Sequence, residues 1–175
     1  MDKFRYSRRF AVALIFAFAV GSALAAGIAP AAAGGTQPET ATVASGLKIE
    51  AAWAPATPRG AKVAAGYLRI VNTTKTPDRL IAISSPVAAK VELHETSMDG
   101  AVARMRPVVG GLEIPAGGMV TLKPGAYHLM FQSLKGPFKK GDHVKATLDF
   151  KNAGKIDVEF AVGGIGAGAP QGHGH

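Results

Sequence analysis

His94, Met98, Met105, His128 and Met130 fall within one stretch of the chain, His94 to Met130. Imidazole nitrogen and soft thioether sulfur together form a donor set that suits copper(I). The chain contains no Cys, so methionine is the softest sulfur it can offer a metal. The same absence excludes disulfides, zinc–thiolate sites, cysteine nucleophiles and iron–sulfur clusters. It also excludes a blue-copper electron-transfer centre, which needs a thiolate.

The spacing assigns these residues to strands. Successive side chains of a strand point to opposite faces, so His128 and Met130 share a face and can converge on one ion. Tyr127, Leu129 and Phe131 then turn to the core. Val91 and Leu93 point one way on an earlier strand, with Glu92 and His94 on the other. Asp99-Gly100 is a hairpin signal, and Met105 lies on its return arm. Four donors, His94, Met105, His128 and Met130, can therefore meet at one rim of a β-structure. Met98 reads as a gap-filling core residue or as a neighbour of the site, because methionine packs irregular space well, and is a secondary ligand candidate. Met119 reads as packing, and His143 as a surface residue beside a turn.

The rest of the chain has the texture needed to hold such a rim. From Gly46 onward short alternating runs are separated by turn residues, as in Leu47–Trp53, Val63–Val71, Val144–Phe150 and Ile156–Val162. This predicts eight or nine strands, no helix, and an all-β antiparallel sandwich or barrel closed by the last two strands. Before it, residues 1–9 are basic and Phe10 to Val20 is an apolar run. That run is too short to span a bilayer but suited to a signal peptide ending at Ala23-Leu24-Ala25. The division expected is signal peptide 1–25, flexible linker 26–45, β domain 46–163 and a disordered tail 164–175. Export to the periplasm follows, with no stable membrane span after cleavage near Ala25. The paired Arg8-Arg9 is a weak sign of the twin-arginine route.

The formal net charge is +8, but the basic residues are scattered and lack the stripe and aromatic platforms of a nucleic-acid binder. The glycines after Val162 do not open a helix, so they are no nucleotide loop, and no His-Glu-x-x-His signature is present. A catalytic role therefore has no support. A metal-free envelope adhesion or assembly module is the competing reading, and it requires the His and Met residues to scatter.

His94, ten intervening residues, Met105, twenty-two intervening residues and His128-x-Met130 resemble the motif of the PCuAC family of exported copper chaperones. That motif has about twenty-one residues in the second interval. The extra residue falls in Val108-Val109-Gly110-Gly111-Leu112, a loop expected to tolerate it. Met105-Arg106-Pro107-Val108, Glu113–Gly118 and Leu122-Lys123-Pro124-Gly125 are also similar to the family, and the resemblance covers 46–162. It implies a cupredoxin-like Greek-key fold, with His94, Met105, His128 and Met130 as Cu(I) ligands. It also implies a carrier that hands copper to an acceptor such as the CuA site of cytochrome c oxidase subunit II, or to another copper chaperone; the chain is expected to act as a monomer. Periplasmic copper storage or tolerance is the neighbouring alternative. Arg104, Arg106 and Lys135 are the basic residues expected to steer an acidic acceptor. His173 and His175 in the tail offer a weak Cu(II) site, which deletion of 170–175 would remove.

Overall fold

A computed structural model describes residues 42–166. The signal peptide, most of the linker, and His173 and His175 lie outside the described residues. The described chain forms eleven strands and no helix. They are β1 (Thr42–Ala44), β2 (Leu47–Pro55), β3 (Val63–Asn72), β4 (Asp78–Ser84), β5 (Ala88–Asp99), β6 (Val102–Pro107), β7 (Leu112–Ile114), β8 (Met119–Leu122), β9 (Tyr127–Leu134), β10 (His143–Phe150) and β11 (Gly154–Gly163). The eight or nine runs expected from the sequence pattern are all present as strands. The additions are β1 and β7, three residues each and too short to show a period. Thr42–Ala44 pairs with Leu47–Ile49, so the ordered domain begins inside the stretch expected to be linker.

The strands close in the order β2–β11–β10–β4–β5–β9–β3 and back to β2. A barrel of this kind has no open edge around its circumference. The last hairpin does complete the ring, but β11 meets β2 in parallel, with Ala161, Val162 and Gly163 beside Trp53, Ala54 and Pro55. The sheet is thus mixed rather than wholly antiparallel. The seam between β4 and β5 is narrow, with one paired position, Ile83 to Val91. Strands β7 and β8 flank β4 and β3 where β5 and β9 leave those edges.

Alternation fills the interior. Leu68 and Ile70 of β3, Leu129 and Phe131 of β9, Leu148 and Phe150 of β10, and Ile156, Val158 and Phe160 of β11 are buried. Phe131 sits edge-on to Phe138 and Phe160, with centroids 5.5 and 5.8 Å away, contacts that add about 0.5–1.5 kcal/mol each beyond area burial. Gly66 makes room for them: a β-carbon there would lie 2.7 Å from the Phe131 ring. Methionine 119, expected to pack, is exposed on β8.

One irregularity shapes the neighbourhood of the His/Met stretch. Between Glu50 and Trp53 strand β2 carries one more residue than β3 opposite it, and Ala51 takes a φ of 49°. Such a bulge shifts the facing of every later side chain. Trp53 is buried yet stands outside the main core cluster, against Tyr67 at a centroid distance of 4.6 Å.

Candidate metal centre

The site is built on three neighbouring strands, β6, β5 and β9. In β5–β9 the register sets His94 opposite His128 and Glu92 opposite Met130. In β5–β6 it sets Thr96 opposite Met105. Directly paired residues share a face, and so do residues two apart along a strand. His94, Met105, His128 and Met130 therefore lie on one face across three adjacent rungs, the face turned away from Leu93, Leu129 and Phe131.

Local sequence accounts for each placement. Leu129 and Phe131 lock β9 into the core, which leaves His128 and Met130 no choice of side. The β5–β6 hairpin turns through Gly100-Ala101, where Gly100 has a φ of 62°. That is the first loop position, where a type II′ turn needs a positive φ. The loop after β6 leaves Val109 almost fully exposed.

Met105, His128 and Met130 line one open cleft of about 330 Å³, together with Thr57, Tyr67, Thr96 and Pro124. His94 does not line it but stands close by, its ring centroid 6.0 Å from that of His128. His128 is 5% exposed although it faces away from the core. Its Nδ1–H donates to the Ala126 carbonyl at 3.0 Å. This fixes the tautomer and leaves the Nε2 lone pair free, the second-partner arrangement typical of metal-binding imidazoles. His128 Nε2 has no hydrogen-bond partner, and neither ring nitrogen of His94 has one, although all three atoms are buried. Glu92 Oε2 lies 3.5 Å from His94 Nε2, longer than a protein hydrogen bond.

Buried polar atoms without partners are rare in folded proteins. Here they belong to the two histidines that share a face with two thioethers. Two nitrogens and two sulfurs suit a soft monovalent ion of low coordination number. Among the described residues no cluster of three or more His, Asp or Glu forms a hard-donor alternative.

Two flanking residues were not singled out by sequence reading. Tyr67 walls the cleft, and burial raises its phenol above the ordinary value. Its parity with Ala65, which pairs with Met130, was the available signal. Glu92 flanks Met130, bound by Lys90 Nζ at 2.6 Å and by the Gln132 amide at 2.6 Å. The Lys90 contact is the main reason its carboxyl is held below the ordinary range. Its position two residues before His94 was the signal.

The other candidates do not line the cleft. Met98 is 66% exposed near the hairpin tip and fills no core gap. Lys135 follows the far end of β9, seven residues and about 23 Å of strand from His128, so it does not flank the site. Arg104 and Arg106 lie on the opposite face of the hairpin from Met105. Arg104 is bound to Asp99 at 2.8 Å, and Arg106 is exposed with Glu95 as its cross-strand neighbour.

A closed all-β barrel bearing a His/Met cluster on one outer face has the build of a metal-binding module. The family described as "Putative lipoprotein LpqE-like" matches residues 47–162, and the chain belongs to it. The "Putative lipoprotein Lxx21020" of Leifsonia xyli subsp. xyli is 30% identical over 119 residues, covering 68% of this chain and 70% of that protein. The fold is that of PCuAC domains. A copper-bound PCuAC domain from PmoF2 superposes with a TM-score of 0.60 at 27% identity, over 71% of this chain and 97% of that one. The solution structure of CuI-DR1885 from Deinococcus radiodurans gives 0.54 at 28% identity, over 73% and 83%.

Proposed function

We propose that the protein is an exported carrier of Cu(I) without catalytic activity. It holds the ion through His94, Met105, His128 and Met130 and passes it to a copper-accepting protein, the CuA site of cytochrome c oxidase being the acceptor the family resemblance implies. The observation that carries this reading is the set of unpartnered, buried ring nitrogens on the face that also holds two thioethers. The copper-bound state of the PmoF2 domain supports it.

The arrangement suits a carrier. The imidazoles supply a fixed inner wall, while Met105, 51% exposed, leaves one side of the ion open to incoming ligands. Thioethers bind Cu(I) without needing deprotonation, whereas Cu(II) prefers nitrogen and oxygen donors, so oxidation weakens the site. In this reading residues 1–25 are a leader cleaved near Ala25, and the protein works in the periplasm as a monomer. Among the described residues no helix is long and apolar enough to cross a membrane. These 175 residues hold no Cys to which a lipid could be thioether-linked.

The test is an anaerobic Cu(I) competition titration against a chromogenic chelator, on the purified protein and on Met105→Leu/Met130→Leu. The expected result is one tightly bound Cu(I) per chain, weakened about 100-fold or more in the variant. Binding that is absent from the wild type, or indifferent to both substitutions, would return the weight to a metal-free envelope module.

A further inference from the structure

We infer that Met98 is an outer Cu(I) ligand, a station through which the ion enters and leaves the site by way of Met105. The inference rests on the carrier reading above and adds a residue to it.

Three observations carry it. First, the hairpin register sets Thr96 against Met105 and Met98 against Ala103. Met98 therefore shares the face of the four inner donors and is the diagonal neighbour of Met105, at about 7–8 Å between backbones. Two unbranched thioether side chains span that separation. Second, exposure rises outward along this face. Outward from the buried His128, Met105 and Met98 stand in solvent at 51% and 66%, while half-buried Met130 lies on the other side of the imidazoles. The soft donors thus run in sequence from the covered imidazoles to the hairpin tip. Third, packing does not account for Met98. Strand β6 beside it is exposed along its whole length, so the hairpin has no core there for methionine to fill. Met119 is comparably exposed but sits on β8, paired with Val71 and away from these strands. Exposure alone is not the argument; the shared face is.

The step is a ligand exchange. The Met98 sulfur donates a lone pair to Cu(I) as a bond from the ion to an inner imidazole breaks, and Met105 remains bound throughout. Copper stays in the cuprous state and no electron is transferred. A thioether carries no proton, so none is released when Met98 binds. The acceptor's soft ligands then displace Met98 and Met105 in turn.

Stopped-flow transfer under argon tests this. Wild type and Met98→Leu, each loaded with one Cu(I), are mixed with excess chromogenic Cu(I) chelator, and equilibrium affinity is measured in parallel. The expected result is an affinity within about twofold of wild type and a transfer rate slowed by about tenfold. Val102→Ser, on the opposite face of the same hairpin, should keep the wild-type rate. Transfer by Met98→Leu at the wild-type rate overturns the outer station and leaves the carrier reading standing. An affinity lowered about tenfold or more makes Met98 a fixed ligand, and overturns it as well. Failure of the wild type to take up Cu(I) removes the carrier reading, and this inference with it.

Discussion

Two regions of this barrel bury polar side chains, and they treat them in opposite ways. At the turns that join β3 to β4 and β10 to β11, Asn72 is 1% exposed and Asp78 7%. The Asn72 amide donates to the carbonyls of Thr76 and Ile114, and its oxygen accepts from the Thr74 amide and hydroxyl. Asp78 accepts backbone N–H bonds from Arg79, Asn152 and Ala153 at 2.7, 2.9 and 2.9 Å. On the β5–β9 face, by contrast, His94 and His128 leave three ring nitrogens unpartnered. Burying a polar atom without a partner costs about 1–3 kcal/mol. A satisfied polar group holds the fold together, whereas an unsatisfied one is held by the fold for something that arrives later.

Asp78→Ala is the largest test of that division. It strands three backbone N–H groups and removes two of the bonds that hold the Lys151–Ala153 turn to β4, the Lys151 N–H bond to the Arg79 carbonyl remaining. The expected loss is about 3 kcal/mol of unfolding free energy, given about 1.5–3 kcal/mol for a bond to a charged group and partial rescue by water. Denaturant unfolding measures it. A loss below about 1 kcal/mol would mean that the far turns are not the polar anchor described here.

His94→Leu is the converse and should give two signs at once. In the absence of metal it removes two orphaned nitrogens, so stability should rise by about 1 kcal/mol. Copper at a hundredfold excess over its Kd should stabilise the wild type by about 2.7 kcal/mol, and this increment should vanish in the variant. Thermal unfolding with and without Cu(I) reads both. A variant that is destabilised without metal would assign His94 to the structure and collapse the contrast between the two regions.

Much of this was legible in the sequence, and the reason is the strict period of strands. The inward set Leu68, Ile70, Leu129 and Phe131 and the outward pair His128 and Met130 follow from alternation alone, and fixed spacing brought His94 and Met105 into the same argument. What alternation cannot show is where it breaks. The extra residue near Ala51 puts Trp53 against Tyr67 on the cleft side, and nothing in Leu47–Trp53 announces a bulge. Pairing between distant strands is also silent, so the parallel meeting of β11 with β2 was not foreseen. Sequence proximity misled at Lys135, which is near His128 in the chain but at the other end of an extended strand. Exposure misled at Met98 and Met119, because methionine type alone does not distinguish a core filler from a solvent-facing donor.

Glu92 sharpens the comparison at its smallest scale. It lies on the flank of the site, opposite Met130, yet it belongs with the satisfied groups, because Lys90 and Gln132 supply its partners. Lys90 is the main cause of its lowered carboxyl value. The stabilisation it contributes is therefore fully present above the ordinary 4.5 and is lost as pH falls through the lower folded value. Lys90→Ala should move the Glu92 midpoint back toward 4.5 and narrow that acid loss, as read by carboxyl carbon NMR. Because the Lys90–Glu92 contact is partly exposed, the effect on unfolding should be small. Cu(I) affinity should not move, since the carboxylate is no donor in the proposed site. A large change in affinity would show that Glu92 holds His94 in place, and the boundary between structural and ligand-binding polar groups would then run through Glu92 rather than beside it.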